Sequence, residues 1–236
     1  MHLGQAGYFA MGMYAVSISG SDWALWIFSI LGLSITLIVV YFFLKDMEPA
    51  FFGISSLCVM GILEELARTL RGITGGVDGL FRPHPHGLTM GLLIALLLVL
   101  FSLLYYEYLL RKGFSYKSEM AWNGRIFAES LGLSIEGFRF SLFLPSAICL
   151  YSAGMAHALS EGYITLSSAF HPGLTLIPIS ATLLCRDFYL LPVSVMILLG
   201  FQELLSYLAW GYQGTVMGGI LILIAYFLLM RKESPG

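Results

Sequence analysis

Two long stretches without a charged residue constrain this chain more than any other feature. Residues 23–44 read WALWIFSILGLSITLIVVYFFL, and residues 88–106 read LTMGLLIALLLVLFSLLYY. Each is close to the roughly 20 apolar residues that cross a bilayer as a helix. The chain has 236 residues, 58% hydrophobic and 11% charged, so a soluble core could not bury both. The sequence predicts an all-α, polytopic transmembrane helical bundle, with residues 1–236 forming a single transmembrane domain.

Apolar segments recur along the whole chain. They lie near residues 5–20, 23–44, 50–71, 88–110, 138–158, 174–185, 189–208 and 212–230. About eight spans are therefore expected. The first and sixth segments are short for a full crossing, so each is expected to be tilted, broken or re-entrant.

Basic residues are divided unequally between the two sides that eight crossings would define. One side collects Lys45, Arg111, Lys112, Lys117, Arg125, Arg139, Arg186, Arg231 and Lys232. The other side keeps only Arg68, Arg71 and Arg82. Cytoplasmic loops of membrane proteins carry the excess of Lys and Arg. We therefore expect the loop over residues 111–139 and both termini to be cytoplasmic.

The longest polar interval, RKGFSYKSEMAWNGRIFAESLGLSIEG, covers residues 111–137. Small or apolar residues recur in it at helical spacing: Met120, Gly124, Phe127 and Leu131. This spacing predicts a short amphipathic helix between two spans. Gly132 is expected to end that helix in the left-handed conformation, and the Ser134 hydroxyl to cap the next one. Such a helix offers a surface on which a soluble partner can drive the membrane protein.

Small residues dominate the opening segment, LGQAGYFAMGMYAV. Its glycines are Gly4, Gly7 and Gly12. Small residues allow membrane helices to approach closely without a hydrophobic driving force between them. Two interpretations remain open for these glycines, namely close helix packing and a lining role beside a substrate path.

Charged residues end the third apolar segment. Glu64 and Glu65 precede Arg68 by four and three residues, so both carboxylates can pair with it along a helix. Charges near membrane depth usually face a bundle interior or a water-filled cavity. Structural pairing and contact with a transported ligand are therefore both open.

A glycine-rich segment, ITGGVDGLFRPHPHG, follows at residues 73–87. Gly75, Gly76 and Gly79 surround Asp78 and predict a tight turn that needs positive φ angles. Exposed N–H groups of such a turn can meet an anionic ligand group. The two histidines that flank Pro85 do not have the spacing of a complete metal site, so no metal is expected.

Glu203 and the three cysteines are the remaining candidate side chains in or beside the apolar segments. Glu203 lies in the seventh apolar segment, where a carboxylate serves either function or a helix–helix hydrogen bond. The three cysteines, Cys58, Cys149 and Cys185, lie in or beside apolar runs, so they are expected to be buried and to form no disulfide.

Four segments, in this order, resemble the inner-membrane permeases of branched-chain amino-acid ABC transporters. They are LGQAGYFAMGMYA, ITGGVDGL, FAESLGLSIEGFRF and GYQGTVMGGILILIAYFLLMRKESPG. The chain departs from the family in three places. It is short before the opening motif, it reads MAWNG at 120–124 where the family tends to a basic–acidic run, and it reads CRDFY at 185–189 where the family has a glycine-rich turn.

The resemblance implies a permease subunit in a bacterial or archaeal plasma membrane. It would move a small polar solute, with branched-chain or related amino acids favoured, and would hydrolyse nothing itself. The implied partners are cytoplasmic ATPase subunits, a second permease, an extracytoplasmic solute-binding protein and membrane lipid, with no nucleic acid. No GxxxxGK[ST] pattern occurs, so ATP is expected on a partner chain and no cofactor on this one.

Two groups of candidate residues follow from the motifs and the resemblance. The ATPase-coupling group is Phe127, Ala128, Glu129, Leu131, Gly132 and Leu133. The substrate-pathway group is Gly4, Gly7, Gly12, Glu64, Arg68, Gly75, Gly76, Asp78 and Gly79.

Two other functional classes were weighed against transport. A membrane scaffold or anchor remains an alternative, as does an intramembrane enzyme that uses Glu64, Glu65 and the histidines. The chain contains neither HExxH nor GxSxG, which counts against the enzyme. A copurifying ATPase would separate transport from both alternatives.

Overall fold

The computed structural model describes residues 4–208 without 20–22, 45–48, 82, 84–86, 123–129, 133, 172 and 186–187, and most of these residues are helical. The helices are α1 (Gln5–Ser19), α2 (Trp23–Leu44), α3 (Pro49–Thr69), α4 (Arg71–Thr74), α5 (Gly87–Arg111), α6 (Phe114–Trp122), α7 (Ile135–Glu161), α8 (Leu166–Ala169), α9 (Gly173–Leu184) and α10 (Leu191–Leu208). Two short strands, β1 (Leu80–Phe81) and β2 (Tyr163–Ile164), pair antiparallel. The helical class predicted from the sequence is confirmed.

Contacts group the chain into two compact units. Unit 1 is Met1–His171 and unit 2 is Pro172–Gly236. In unit 2, α9 packs against α10, and the short 3₁₀ turn Phe188–Leu190 leads into α10. The single domain expected over residues 1–236 stays a prediction.

Helix α1 is the centre of unit 1. Eleven of its 15 residues are buried, and it contacts α2, α3, α7 and α8. A helix that is apolar all round has no face suited to water, so burial inside a bundle is its stable environment. Helices α2, α3, α7 and α8 are therefore arranged around α1, whereas α5 packs against α7.

Two apolar clusters meet at α1. One contains Met13 and Val16 of α1 together with Ile164 and Phe170, which follow α7. The other contains Tyr8 of α1 with residues of α2 and α7: Leu33, Leu37, Val40, Phe143, Ala147 and Tyr151. The edge of Phe143 meets the Tyr8 ring at a centroid distance of 6.0 Å, a favourable aromatic geometry. The two clusters therefore pack α1 against α2, which follows it directly in the chain, and against α7 and the segment after α7, which come more than 100 residues later.

Two helices in the described part of the chain, α5 and α7, are long and apolar enough to cross a membrane by length and composition. They have 25 and 27 residues, which is more than the roughly 20 that a bilayer requires. Only 11% of the most apolar window of α5 is buried, and Leu88, Leu96 and Leu104 are exposed. The core helix of a soluble protein would bury such a window. The count of eight spans stays a prediction.

The first and sixth apolar segments are short helices. Helix α1 has 15 residues and α9 has 12, so at 1.5 Å per residue they are about 22 and 18 Å long. Neither length reaches the roughly 30 Å of a hydrocarbon core. The segment at 212–230 lies outside the described residues.

Candidate functional site

The tightest contact in unit 1 is the crossing of α1 and α7. A Cβ atom at Gly12 would lie 1.9 Å from the carbonyl oxygen of Tyr151, and one at Gly154 would lie 2.0 Å from that of Phe9. Both distances are far below van der Waals contact, and the opposing atoms are backbone. The two helices therefore approach so closely that only glycine fits at either position.

The other two glycines of the opening segment face α3. The Gly4 N–H donates to the Ser56 hydroxyl at 3.0 Å, and a Cβ at Gly4 would lie 2.2 Å from the Ser56 carbonyl oxygen. Gly7 faces the side chains of Met60 and Leu63. These contacts support the close-packing interpretation of Gly4, Gly7 and Gly12. A substrate path beside them stays a prediction.

The glycine-rich turn after α4 has the predicted conformation. Gly75, Gly76 and Gly79 have φ angles of 73°, 58° and 77°, which confirms the need for positive φ. The Gly76 N–H donates to the Thr74 hydroxyl at 3.3 Å, and the Gly75 N–H donates to the Arg71 carbonyl. These two N–H groups are therefore already used within the turn, which weighs against the expected anion site.

The turn is fastened to the segment that follows α7. Leu80 and Phe81 pair with Ile164 and Tyr163, and the Tyr163 hydroxyl donates to the Asp78 carbonyl at 3.0 Å. Residues 70–81 and 162–170 thus form one structure, which we call the cap. The cap contacts the α1 helix through α4, β2 and α8.

A capping box begins α8 within the cap. The Thr165 side chain accepts from the Ser168 N–H at 3.1 Å, and the Ser168 hydroxyl accepts from the Thr165 N–H at 3.1 Å. This reciprocal pair satisfies two N–H groups that a helix start leaves without helical partners. The cap is therefore held by specific hydrogen bonds as well as by apolar packing.

The charged cluster of α3 forms the predicted pairs. Arg68 Nη2 lies 3.2 Å from Glu64 Oε1, and Arg68 Nε lies 3.4 Å from Glu65 Oε2. The Arg68 side chain is 47% exposed, and exposed pairs of this kind contribute only about 0–1 kcal/mol to stability. The structural interpretation accounts for the cluster, and contact with a ligand stays a prediction.

The predicted coupling residues are described only in part. Phe127, Ala128, Glu129 and Leu133 lie outside the described residues. Gly132 has φ 81°, so its left-handed conformation is confirmed, and Leu131 beside it is exposed.

The start of α7 differs from the sequence expectation at Ser134 and makes a contact with α6 that was not expected. Ser134 occupies the N-cap position of α7, but its side chain makes no capping hydrogen bond, so that expectation was wrong. The Ser134 hydroxyl instead lies next to Gly137, 2.8 Å from the position that a Cβ atom of Gly137 would take. Met120 of α6 is buried with Ile135 of α7, so a small apolar contact joins α6 to the start of α7.

The remaining candidates have varied outcomes. All three cysteines are free, as expected, but Cys58 is exposed on α3, so its predicted burial was wrong. Glu203 is exposed on α10. Among the described residues, no three His, Cys, Asp or Glu side chains come together as metal ligands, and both histidines next to Pro85 lie outside that set.

Several residues that organise this region were missed in the sequence. They are Ser56 and Tyr163, whose hydroxyls form hydrogen bonds with Gly4 and Asp78, and Gly154, which lies against the backbone of Phe9. The small-residue run SAGMAHA around Gly154 was the one available signal, since it matches the small residues of α1.

No family model, no curated protein and no solved structure matches this chain. Its function has to be argued from its own residues and their geometry.

Proposed function

We propose that this chain is the membrane-spanning permease subunit of an ABC importer for a small polar solute, with branched-chain or related amino acids favoured. The observation that carries the proposal is the short α1 helix, enclosed by longer apolar helices and joined to α7 through Gly12 and Gly154. ATP is bound and hydrolysed by separate cytoplasmic subunits that dock on the loop over residues 111–137.

Helix α7 supplies a route for the coupling. It begins at Ile135, within the last three residues of the proposed docking loop, and ends at Glu161, with only Gly162 between it and the cap strand β2. Its 27 residues span about 40 Å at 1.5 Å per residue, which is enough to connect the two faces of a bilayer. A displacement of the loop therefore moves α7, and through the glycine crossing it also moves α1.

The charged pair Glu64 and Arg68, at the cap end of unit 1, suits an amino-acid solute. Glu64 and Arg68 are close to the cap, since the Arg68 carbonyl oxygen lies 3.4 Å from the Cβ position of Gly76. A zwitterion brings one positive and one negative group, and this cluster offers a carboxylate and a guanidinium. The choice of amino acids over other small polar solutes rests on the family resemblance.

The proposed topology predicts opposite labelling of two introduced cysteines. In a background without native cysteines, Ser118→Cys in α6 is expected to react with a membrane-impermeant maleimide only from the cytoplasm. Val77→Cys in the cap, where the native side chain is 61% exposed, is expected to react only from outside. Labelling in spheroplasts and in inverted vesicles measures both. Reaction of the two positions from the same face would contradict this topology.

Coupling-loop variants test the importer itself. Phe127→Ala is expected to reduce copurification of the ATPase strongly, because a buried aromatic at an interface centre often contributes about 2 kcal/mol or more. Gly132→Val is expected to do the same, because valine resists φ 81° and misdirects the start of α7. Membrane abundance of both variants should equal that of the wild type.

Gly113→Val is the matched control for backbone strain. Gly113 has φ 71° and, like Gly132, has no atom within 4 Å of its Cβ position, so both substitutions carry similar local strain. Loss of the ATPase in Gly132→Val but not in Gly113→Val would locate the docking surface in the part of the loop around Gly132, away from Gly113. Normal ATPase recovery with both Phe127→Ala and Gly132→Val would remove the main support for the importer.

A further inference from the structure

A groove of about 330 Å³ lies between α5 and α7, outside every candidate site considered above. Its principal lining residues are Gly91, Ala95, Leu98, Ala153, His157 and Ser160. The helices are closest at Gly91, where a Cβ would lie 2.2 Å from the Ser160 hydroxyl and 2.6 Å from the Ala156 carbonyl oxygen. Further along the two helices, the small side chains of Ala95 and Ala153 leave open the volume of the groove, which larger side chains would fill.

The groove is polar at one end and apolar at the other. His157 and Ser160 lie in the last two turns of α7, next to the cap, whereas Ala153 lies about 6 Å from His157 and about 10 Å from Ser160 along the helix, at 1.5 Å per residue. On α5, Leu98 likewise lies about 10 Å along the helix from Gly91. In a membrane this order places the polar end near the lipid headgroups and the apolar end among the acyl chains.

The polar end carries groups that remain able to bind a ligand. The Ser160 hydroxyl donates to the Ala156 carbonyl at 3.0 Å and keeps its own lone pairs as acceptors. The His157 side chain is exposed, and its ring packs on Phe9 with 5.6 Å between centroids. Glu161 follows His157 by four residues, so an exposed carboxylate shares the same face of α7.

We propose that this groove binds one zwitterionic aminophospholipid. The acyl chain lies along Ala95, Leu98 and Ala153, and the headgroup meets His157 through its phosphate and Glu161 through its ammonium. A lipid fits better than a transported solute because the groove opens onto the exposed apolar surface of α5, where Leu92 and Leu96 are 56% and 71% exposed. A nearby carboxylate favours an amine-bearing headgroup over a purely anionic one.

This inference rests on the membrane location within the proposed function and does not need transport or an ATPase. The protein is reconstituted into nanodiscs that contain phosphatidylethanolamine with a photoreactive diazirine in the middle of one acyl chain. Crosslinked peptides are then identified by mass spectrometry. Label is expected on the peptides that hold Ala95, Leu98 and Ala153, and phosphatidylglycerol with the same diazirine is expected to label them less. Glu161→Gln is expected to remove that difference between the two lipids, because the Glu161 carboxylate meets the ammonium that only phosphatidylethanolamine carries.

Blocking the groove provides the decisive comparison. Ala95→Phe is expected to lower labelling of the Ala153 peptide about fivefold or more, which corresponds to a loss of about 1 kcal/mol of binding free energy. Leu96→Phe adds bulk at the adjacent residue, outside the groove, and is expected to leave that labelling unchanged. Ala153→Leu fills the groove from the other helix and is expected to lower the labelling of the Leu98 peptide.

Three results would overturn the inference. The first is equal labelling of peptides on every face of α5, unchanged by Ala95→Phe and by Ala153→Leu. This result would mean that the label comes from ordinary annular lipid and not from a lipid bound in the groove. Displacement of the label by free leucine would make the groove a solute site. Failure of the wild-type chain to enter nanodiscs would overturn the membrane location itself. This outcome is distinguishable from the other two because no peptide of the protein would carry a lipid label.

Discussion

Gly12→Ala, the addition of a single carbon atom, is expected to destabilise unit 1 by about 3 kcal/mol or more, at the upper end of overpacking effects. The new Cβ would lie 1.9 Å from the Tyr151 carbonyl oxygen and 2.8 Å from its carbonyl carbon. Both atoms are backbone, so no side-chain rotation relieves the clash and α1 has to separate from α7. The measurement is the melting temperature in detergent, together with the amount of monodisperse protein.

The matched control is Gly61→Ala in α3. Its Cβ would have no atom within 4 Å, and alanine favours a helix over glycine by about 0.5–1 kcal/mol. This variant is expected to equal or slightly exceed the wild type. Gly154→Ala, on the other side of the crossing, is expected to reproduce the defect of Gly12→Ala. A normal melting temperature for Gly12→Ala would show that the helices cross less closely than 1.9 Å implies.

Gly79→Val is expected to abolish transport without reducing the recovery of the ATPase. Valine at φ 77° carries about 1–3 kcal/mol of backbone strain, and its Cβ would lie 2.4 Å from the Ile164 carbonyl oxygen. The pairing of β1 with β2 and the hydrogen bond from Tyr163 to Asp78 should therefore be lost. Uptake of a labelled amino acid by cells with the complete transporter measures the first effect, and limited proteolysis of the cap measures the second.

Gly72→Val in α4 controls for a substitution beside the turn. A Cβ at Gly72 would have no atom within 4 Å, so the cap should remain closed and transport should continue. Cleavage of Gly79→Val within residues 70–81, with the wild type and Gly72→Val resistant, would confirm that the cap had opened. An uncleaved Gly79→Val that transports normally would contradict the role assigned to the turn.

Features that depend on local sequence could be predicted. The charge-free stretch at 23–44 coincides with helix α2, Trp23–Leu44, because nothing in it competes with an apolar helix. The positive φ angles of Gly75, Gly76 and Gly79 followed from the glycines themselves, since other residues resist that conformation. Pairs along one helix, such as Glu64 with Arg68, followed from the helical repeat alone.

Features that depend on a distant partner could not be predicted. Nothing local in the opening segment says that Gly12 meets Tyr151 or that Gly4 donates to Ser56. Strands β1 and β2 have two residues each, too few to show an alternating pattern. The Ser134 error has a different origin, because residue type favoured a capping hydroxyl and only the actual rotamer shows that it lies elsewhere.

The enclosure of α1 has a consequence for the synthesis of the protein. Ribosomes make α1 well before α7, so the backbone around Gly12 waits without its closest neighbour until residues 135–161 have been synthesised. Contacts between segments so distant in the chain form slowly, because a large loop must close first. Nascent chains that stop before Ile135 thus expose an unfinished bundle to proteases. Completion of α7 is then the step that encloses α1.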